Sequence, residues 1–205
     1  MSDKYTTLEQ HASYGIGLQM GQQLADNPFD GLDIDAVAAG VIAAFTEQAP
    51  EVTDEQIRAA FTVISERMQA EQAEKAQLLA EAGDAFLAEN AKRAEITVTA
   101  SGLQYEVLVA AEGDKPTASS TVRTHYHGTL IDGTVFDSSY QRGEPAEFPV
   151  SGVIAGWTEA LQLMSPGSKL RLYIPHNLAY GERGAGNAIA PFSALIFDVE
   201  LLAIL

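Results

Sequence analysis

The composition of the chain changes abruptly near residue 96. Residues 1–95 hold 17 acidic residues against 6 basic ones and are rich in Ala, Gln and Glu, which favour helices. Residues 96–205 hold 6 of the 8 prolines and 11 of the 17 glycines, together with the Val, Thr, Tyr and Ile that suit strands. The change predicts a helical domain followed by a mostly β domain.

The overall composition excludes several classes of protein. A formal net charge of -16 repels phosphate backbones and anionic lipids, so nucleic-acid and membrane-surface roles are not expected. The absence of Cys excludes disulfides and thiolate sites, and no apolar run approaches the about 18 residues of a membrane span. The first five residues lack the pattern of a secretory signal. We therefore expect a cytoplasmic protein, with the periplasm left open.

Two helices are predicted in the first 50 residues. Thr6 and Glu9 have the spacing of a capping box, which predicts a helix that starts there and runs to about Asp26. Apolar residues at helical spacing predict a second helix over 34–47, with Asp33 as its N-cap.

A third and much longer helix is predicted to follow. Thr53 and Gln56 form another capping box, and nothing stops the helix before about Lys92. Its apolar stripe thins after residue 68, so the part over 70–90 is expected to cross solvent as a stalk between the two domains. Gly83 lies inside this part as a candidate bend.

The helical domain contains little apolar sequence for an independent core, and dimerisation would supply the missing burial. Gly17 and Gly21 have a spacing that lets another helix approach closely. Packing of these small residues within one chain is an equally open interpretation.

The second part of the chain predicts an α+β fold. Alternating patterns predict strands over 103–109, 122–127, 169–174 and 195–201, with a short edge piece over 147–150. Asp132-Gly133 predicts a hairpin turn, and residues 157–164 predict a short amphipathic helix. We expect an antiparallel sheet packed over that helix.

Common catalytic constellations are scarce. No Gly-x-Ser-x-Gly nucleophile elbow occurs. His125 and His127 share one face of a strand, but two imidazoles are fewer than the three or four ligands of a metal site. Exposed strand histidines are the favoured interpretation, and a metal-handling protein is a minor alternative.

The predicted strands collect aromatic residues on one face. Asp137 directly follows an aromatic position and Arg142 comes five residues later, and a carboxylate beside aromatic rings must be paired or hydrogen-bonded. A plain core is the alternative to a binding pocket. The aromatic set comprises Tyr126, Phe136, Phe148, Trp157, Tyr180 and Phe197.

The motifs of this part resemble the FK506-binding-protein (FKBP) family of peptidyl-prolyl isomerases over about residues 101–205. The helical first part with its long helix resembles the bacterial dimeric branch, the 22-kDa FKBP and macrophage-infectivity-potentiator type. The expected domains are therefore a dimerisation domain over 1–69, a helical stalk over 70–95 and an isomerase domain over 96–205. The matching motifs are Val122-x-x-His125-Tyr126-x-Gly128-x-Leu130-x-Asp132-Gly133-x-x-Phe136-Asp137-Ser138-Ser139, Val153-Ile154-x-Gly156-Trp157, Ile174-Pro175-x-x-Leu178-Ala179-Tyr180-Gly181 and Leu195-Ile196-Phe197-Asp198-Val199-Glu200-Leu201-Leu202.

The resemblance implies a pocket floored by Trp157. The Tyr180 hydroxyl and the Ile154 backbone N–H would donate to carbonyl groups of a substrate or inhibitor, and Asp137 would lie at the rim, oriented by Tyr126 and Arg142. The expected catalytic residues are Tyr126, Phe136, Asp137, Tyr180 and Phe197, and the expected substrate-binding residues are Arg142, Phe148, Val153, Ile154, Trp157 and Ile189.

The expected function is peptidyl-prolyl cis–trans isomerisation in protein folding, which needs no metal or cofactor. The expected partners are proline-containing unfolded polypeptides, macrolide inhibitors of the FK506 and rapamycin type, and a second copy of the chain. Ala146 replaces a frequent aromatic wall residue, and Ala190 replaces the first proline of the usual Ile-Pro-Pro. These departures keep open a non-catalytic holdase chaperone or scaffold that uses the same pocket.

Overall fold

The computed structural model describes residues 4–26 and 28–205, and these residues form five α-helices and seven strands. Met1, Ser2 and Asp3, on which part of the expectation about a secretory signal rests, lie outside the described residues. The helices are α1 (Leu8–Asp26), α2 (Ile34–Phe45), α3 (Asp54–Asn90), α4 (Ser139–Arg142) and α5 (Ala155–Leu161). The strands are β1 (Thr97–Val98), β2 (Gln104–Val109), β3 (Thr121–Leu130), β4 (Val135–Ser138), β5 (Ala146–Pro149), β6 (Lys169–Ile174) and β7 (Leu195–Ile204).

The capping box of α1 lies one residue later than predicted, at Thr7 and Gln10. The Gln10 N–H donates to Thr7 Oγ1 at 3.2 Å, and the Thr7 N–H donates to Gln10 Oε1 at 3.2 Å. The predicted pair of Thr6 and Glu9 is therefore wrong. Gln10 Oε1 also accepts from the Thr6 N–H at 2.8 Å, so one amide oxygen satisfies two backbone donors. The end of α1 at Asp26 is confirmed.

The start of α2 follows the prediction, and its end does not. Asp33 caps the helix, because its side chain accepts from Asp35 N at 2.9 Å and from Ala36 N at 3.1 Å. The helix ends at Phe45 rather than at Glu47. Glu47 has a φ of 56°, a left-handed conformation that a continuing helix does not allow.

The predicted capping box of α3 is confirmed. The Thr53 N–H donates to Gln56 Oε1 at 2.9 Å, and the Gln56 N–H donates to Thr53 Oγ1 at 3.2 Å. The helix continues through Gly83 and ends at Asn90. No helix of the described residues is long and apolar enough to span a membrane.

The chain forms two compact units that divide between Glu71 and Gln72. The first unit, as far as it is described, contains no buried residue. Its large apolar side chains are exposed instead, among them Leu8, Ile16, Leu18, Ile42, Phe45, Phe61 and Val63.

The second unit is built on the antiparallel sheet, in the strand order β1-β2-β6-β7-β3-β4. Strand β3 is central, since its first half also pairs with β5, and β6 pairs with β7 in an unbroken register from Lys169 to Ile174. The Asp132-Gly133 hairpin is confirmed, with the Leu130 N–H donating to Thr134 O at 2.9 Å. The core between the sheet and α5 includes Trp157 and Leu161.

The last turns of α3 belong to the second unit and do not cross solvent. Gly83, Leu87 and Asn90 are buried, and Leu87 packs in one cluster with Tyr173 and Ala194. The expectation of a solvent-crossing stalk over 70–90 is therefore wrong from Gly83 onward. The three buried residues recur at a spacing of four and three, so they share one helix face that periodicity among many Ala, Gln and Glu residues did not reveal.

Candidate active site

A cavity of about 580 Å³ opens in the second unit, between the N-terminal end of α5 and the sheet. Strands β3, β4, β5 and β7 supply one part of its wall, and residues 152–154 before α5, α5 itself and the connection between β6 and β7 supply the rest. Its lining residues are Tyr126, Phe136, Asp137, Phe148, Gly152, Val153, Ile154, Trp157, Tyr180, Ala188, Ile189 and Phe197.

The floor of the cavity is a set of aromatic rings around Trp157, which is only 4% exposed. The Trp157 ring meets the Phe197 ring at a centroid distance of 5.2 Å and an interplanar angle of 82°. It meets Tyr126 at 5.3 Å and Phe148 at 5.8 Å, again edge to face. Edge-to-face packing fixes each ring by its neighbours, so the floor is apolar and rigid.

One glycine on β3 makes room for two of the aromatic rings, those of Phe136 and Phe197. Gly128 lies opposite Phe197 in the β3–β7 pairing. A Cβ atom at Gly128 would lie 2.7 Å from Phe136 Cζ and 2.8 Å from Phe197 Cε1, which is closer than carbon atoms approach. Only glycine therefore lets these two rings, whose centroids are 5.3 Å apart, close the side of the cavity.

Three polar side chains form one network at the rim. The Tyr126 hydroxyl donates to Asp137 Oδ2 at 2.5 Å, and Arg142 Nη2 donates to Tyr126 Oη at 2.8 Å. Arg142 Nη1 also forms an ion pair with Asp137 Oδ1. Each member of the network holds the other two in place.

The network shifts the ionisation of its members. Burial alone would raise the pKa of Asp137, but hydrogen bonds from Tyr126 and Arg142 outweigh it, so this pKa lies below its ordinary value. Burial raises the pKa of Tyr126, and its hydrogen bond to Asp137 adds to the rise. Around neutral pH the site therefore contains a carboxylate and a neutral phenol.

The short helix α4 returns the chain from β4 so that Arg142 reaches the rim. Ser138 caps it, accepting from Gln141 N at 3.4 Å, and Gly143 ends it in a left-handed conformation. The Ser139 hydroxyl accepts from the Tyr126 N–H at 2.7 Å and so ties α4 to β3. The sequence pattern did not predict this short helix.

Two further donors face the cavity from outside the network. Tyr180 is 40% exposed, and its hydroxyl has no hydrogen-bond partner among residues 4–26 and 28–205. Burial raises the pKa of Tyr180, and the charge of Asp137 raises it further. Ile154 precedes α5 at the N-cap position, where the backbone N–H lies outside the helix hydrogen bonds.

Nearly all the site residues expected from the sequence line this one cavity. Arg142 is the exception, because it contacts Tyr126 and Asp137 and does not border the cavity. Gly152 and Ala188 line the cavity and were not predicted. Their only sequence signal is adjacency to Val153 and Ile189. Ala146, the replaced aromatic position, packs against the core.

The strand histidines lie on the other face of the sheet. His125 stacks on Tyr140 at a centroid distance of 4.6 Å and hydrogen-bonds to Ser139 through Nδ1 at 2.9 Å. His127 Nδ1 lies 3.1 Å from Ser138 Oγ. Within the described part of the chain, no group of three or more His, Cys, Asp or Glu side chains is placed to hold a metal ion.

That outer face also carries a larger groove, of about 710 Å³. Its arginines are already engaged, since Arg171 donates to both oxygens of Asp198 at 2.6 and 2.9 Å and Arg93 pairs with Glu95 and Glu106. The groove lacks the closed aromatic floor of the smaller cavity. We therefore assign the chemistry to the smaller cavity.

Comparison with known proteins gives two matching family models. Residues 112–202 match the model described as FKBP-type peptidyl-prolyl cis-trans isomerase. Residues 9–107 match the model described as a domain amino terminal to FKBP-type peptidyl-prolyl isomerase. Together the two models cover nearly the whole chain.

Curated proteins and a solved structure match over similar lengths. The FKBP-type 22 kDa peptidyl-prolyl cis-trans isomerase of Escherichia coli K12 is 52% identical over 201 residues, which are 98% of each chain. The outer membrane protein MIP of Legionella longbeachae is 40% identical over 203 residues, or 97% of this chain and 87% of that protein. The crystal structure of FkpA from Escherichia coli superposes with a TM-score of 0.72 at 36% identity, covering 98% of each chain.

Proposed function

The chain belongs to the FKBP-type peptidyl-prolyl cis-trans isomerases, and we propose that it accelerates the rotation of X-Pro bonds by holding the twisted amide in the cavity floored by Trp157. The observation that carries this proposal is a single rigid aromatic cavity with hydroxyl and amide donors at its edge. A polypeptide containing proline is the substrate.

The chemistry of the reaction matches a site without a nucleophile. Rotation about a peptide bond is opposed by amide resonance, with a barrier of about 18–20 kcal/mol. Uncatalysed X-Pro isomerisation takes about 10–100 s at 25 °C. No covalent bond breaks, so the protein has only to favour the half-rotated amide over the planar one.

An apolar cavity favours the half-rotated amide through its charge distribution. The planar amide is strongly polarised and loses stabilisation when water is removed, whereas the twisted amide has less charge separation. A rate increase of about 10³ corresponds to about 4 kcal/mol of differential stabilisation. The buried rings of Trp157 and Phe197 supply the dry surface that this effect requires.

The proposed roles of the polar groups follow from their positions. The Tyr180 hydroxyl and the Ile154 N–H donate to substrate carbonyl groups on either side of the rotating bond. Asp137 lies beside the cavity as a carboxylate held by Tyr126 and Arg142. Its negative charge repels the carbonyl oxygen of the planar amide and so favours rotation. Arg142 positions this carboxylate and is not in contact with the substrate.

The same cavity is proposed to bind macrolides of the FK506 and rapamycin type. Such a ligand presents apolar ring atoms and carbonyl groups, which match the aromatic floor and the donors of Tyr180 and Ile154. Competition between a macrolide and a peptide substrate would place both in one site.

We propose that residues 1–69 form a homodimer. The described part of this region buries no residue, and even its large aromatic side chains are exposed: Phe45 is 89% exposed and Phe61 is 65% exposed. Side chains added at Gly15, Gly17 or Gly21 would meet no described atom within 4 Å, so packing within one chain does not account for these glycines. A second copy of the chain would cover this surface, and two isomerase domains would then act on one unfolded polypeptide with a raised effective concentration.

A non-catalytic holdase is the second candidate, and the departures at Ala146 and Ala190 favour it. Neither residue forms part of the cavity wall, so we rank it below the isomerase. The minor metal-handling alternative gains no support from His125 and His127, which hydrogen-bond to serines.

An isomerisation assay on the full chain separates the two candidates. Exchange of an X-Pro peptide between cis and trans forms, followed by NMR with and without a macrolide, should be fast and macrolide-sensitive. A holdase would suppress aggregation of an unfolded protein with no effect on the peptide. Absence of any peptide turnover would contradict the isomerase proposal.

The compartment is proposed from the sequence alone. The cytoplasmic location, with the periplasm as the alternative, stays a prediction, and one relative is named an outer membrane protein. Fractionation of the cells that produce the protein, followed by detection with an antibody, would decide between these compartments.

A further inference from the structure

The 20-residue connection between β6 and β7, residues 175–194, carries Tyr180, Ala188 and Ile189 into the cavity. Its only regular structure is two single-turn 3₁₀ helices, His176–Leu178 and Gly181–Arg183, so a connection of this length needs further contacts that fix its shape. Some of these contacts are internal. The Phe192 N–H donates to Gly181 O at 2.9 Å, and Ala185 and Ile189 pair as a short β-bridge.

The two ends of this connection lie against the same face of α3. Tyr173, next to last in β6, packs against Leu87 and Phe86, and its ring lies 6.0 Å from the Phe86 ring. Ala194, the last residue before β7, packs in the same cluster. The positions of Tyr173 and Ala194, at the two ends of the connection, are thus fixed by a helix that does not itself line the cavity.

The close approach of Ala194 leaves little room for a side chain at Gly83. A Cβ atom built on Gly83 would lie 3.1 Å from Ala194 Cβ and 3.7 Å from Ala194 N. A glycine inside a helix costs about 1 kcal/mol relative to alanine, so its presence needs a reason. Close approach of the helix to Ala194 is such a reason, and it replaces the expected bend.

A buried pair of amide side chains sets the rotation of α3 about its axis. Asn90 Nδ2 donates to Gln104 Oε1 at 2.9 Å, and Gln104 Nε2 donates to Leu87 O at 2.9 Å. Arg93 Nη1 donates to Asn90 Oδ1 at 3.0 Å and to Tyr173 Oη at 2.9 Å. Turning the helix by one residue would break all of these bonds, so Gly83 is held facing Ala194.

We propose that the last turns of α3 position the cavity side of the connection 175–194, and that Gly83 is a positioning residue for the isomerase reaction. This inference rests on the proposed function, since the connection matters only if the cavity is the active site. It gives α3 a role in each isomerase domain that is separate from dimerisation.

The test adds a single methyl group to the full chain at position 83. Gly83→Ala adds a methyl that meets Ala194 and raises helix propensity, whereas Gly83→Ala with Ala194→Gly removes the clash. Gly40→Ala is the matched control, because a Cβ there has nothing within 4 Å. The measurements are kcat/KM for an X-Pro peptide, well below the unfolding temperature, and the amide NMR shifts of Ala188 and Ile189.

Gly83→Ala should lower kcat/KM by at least about threefold, since small displacements of site residues reduce rates strongly. The amide shifts of Ala188 and Ile189 should move with it. The double variant should regain both values relative to Ala194→Gly alone, and Gly40→Ala should match the original chain. Unchanged kcat/KM and shifts in Gly83→Ala, or a loss that Ala194→Gly does not reverse, would overturn the inference.

The outcomes also separate this inference from the proposed function. A chain with no isomerase activity would contradict the proposed function. In that case the Ala188 and Ile189 shifts of Gly83→Ala and of the double variant would still decide whether α3 positions the connection.

Discussion

At Asp137, burial and hydrogen bonding act on one carboxyl in opposite directions. The hydrogen bonds from Tyr126 and Arg142 outweigh the effect of burial, so the carboxyl stays ionised beside a largely apolar cavity. Tyr126 and Tyr180 shift the other way, because burial disfavours a phenolate. The three groups thus keep fixed protonation states over a wide range of pH.

These directions predict a flat pH profile for turnover. The pKa of Asp137 lies below its ordinary 3.8, so its contribution is present above that value and is lost only as the pH falls through the lowered pKa. The tyrosines stay protonated beyond their ordinary 10.0. The kcat/KM for an X-Pro peptide, measured by NMR exchange, should be constant between about pH 5 and 9. A titration with its midpoint inside this range would contradict the assignment.

A second prediction at the scale of single residues concerns Thr124 on β3. This side chain is fully buried, and its hydroxyl has no hydrogen-bond partner within the described residues. Thr124→Val should raise the free energy of unfolding by about 1 kcal/mol, because a buried hydroxyl without a partner is replaced by a methyl. Thr129→Val, at a partly buried position on the same strand, is the control for strand propensity. Equal effects of both changes in urea unfolding would refute the explanation.

At the scale of elements, the end of α3 depends on the buried amide pair of Asn90 and Gln104. Asn90→Leu should lower the free energy of unfolding by about 1–3 kcal/mol, because Gln104 is left buried without its donor. The double change Asn90→Leu and Gln104→Leu should recover part of this loss, since no unpaired polar group remains there. Denaturant unfolding of the two single variants and the double variant measures the coupling. Strict additivity would mean that the pair is not coupled.

The sequence predicted the elements whose signals are local. Asp33 and the pair of Thr53 and Gln56 marked helix starts, because capping depends on neighbours in the chain. The capping box of α1 moved by one residue because Thr6 and Thr7 offer nearly equal alternatives. The burial of Gly83 was not predictable, since it depends on a partner more than 100 residues away.

For the site, too, the residues with a regular sequence signal were predicted and those without one were not. The strand pattern grouped the aromatic residues on one face, where side-chain direction follows the backbone period, while the cavity floored by Trp157 was expected from the family resemblance. Ala188 was missed because a small residue in an irregular connection gives no periodic signal. Arg142 was expected both to orient Asp137 and to bind substrate; in the structure it contacts Tyr126 and Asp137 and does not border the cavity.

For the whole molecule, the exposed apolar side chains of the first unit predict association of two chains. The protein should sediment at twice the 21.9 kDa of one chain. Phe61→Glu should raise the dimer dissociation constant at least about 30-fold, because an aromatic side chain buried in an interface commonly contributes about 2 kcal/mol or more. Gln69→Glu adds the same charge without removing an apolar side chain and is the control. A monomer at micromolar concentration in the unchanged protein would contradict the prediction.

Dimerisation should affect long substrates more than short ones. Phe61→Glu should leave kcat/KM for an X-Pro peptide unchanged, since the cavity lies wholly in the second unit. It should slow catalysis of the proline-limited refolding of a protein, because two sites no longer act on one chain. An equal change in both activities, or a change in neither, would exclude cooperation between the two isomerase domains.

The most direct test of the central claim is the cis–trans exchange rate of an X-Pro peptide with the original chain and with Phe136→Ala. The account predicts an acceleration of about 10³ by the original chain, inhibited by a macrolide and reduced at least about tenfold in Phe136→Ala. Fluorescence of Trp157, the chain's single tryptophan, would show that the variant remains folded. An acceleration that survived both the macrolide and the loss of the Phe136 ring would mean that the turnover takes place outside this cavity.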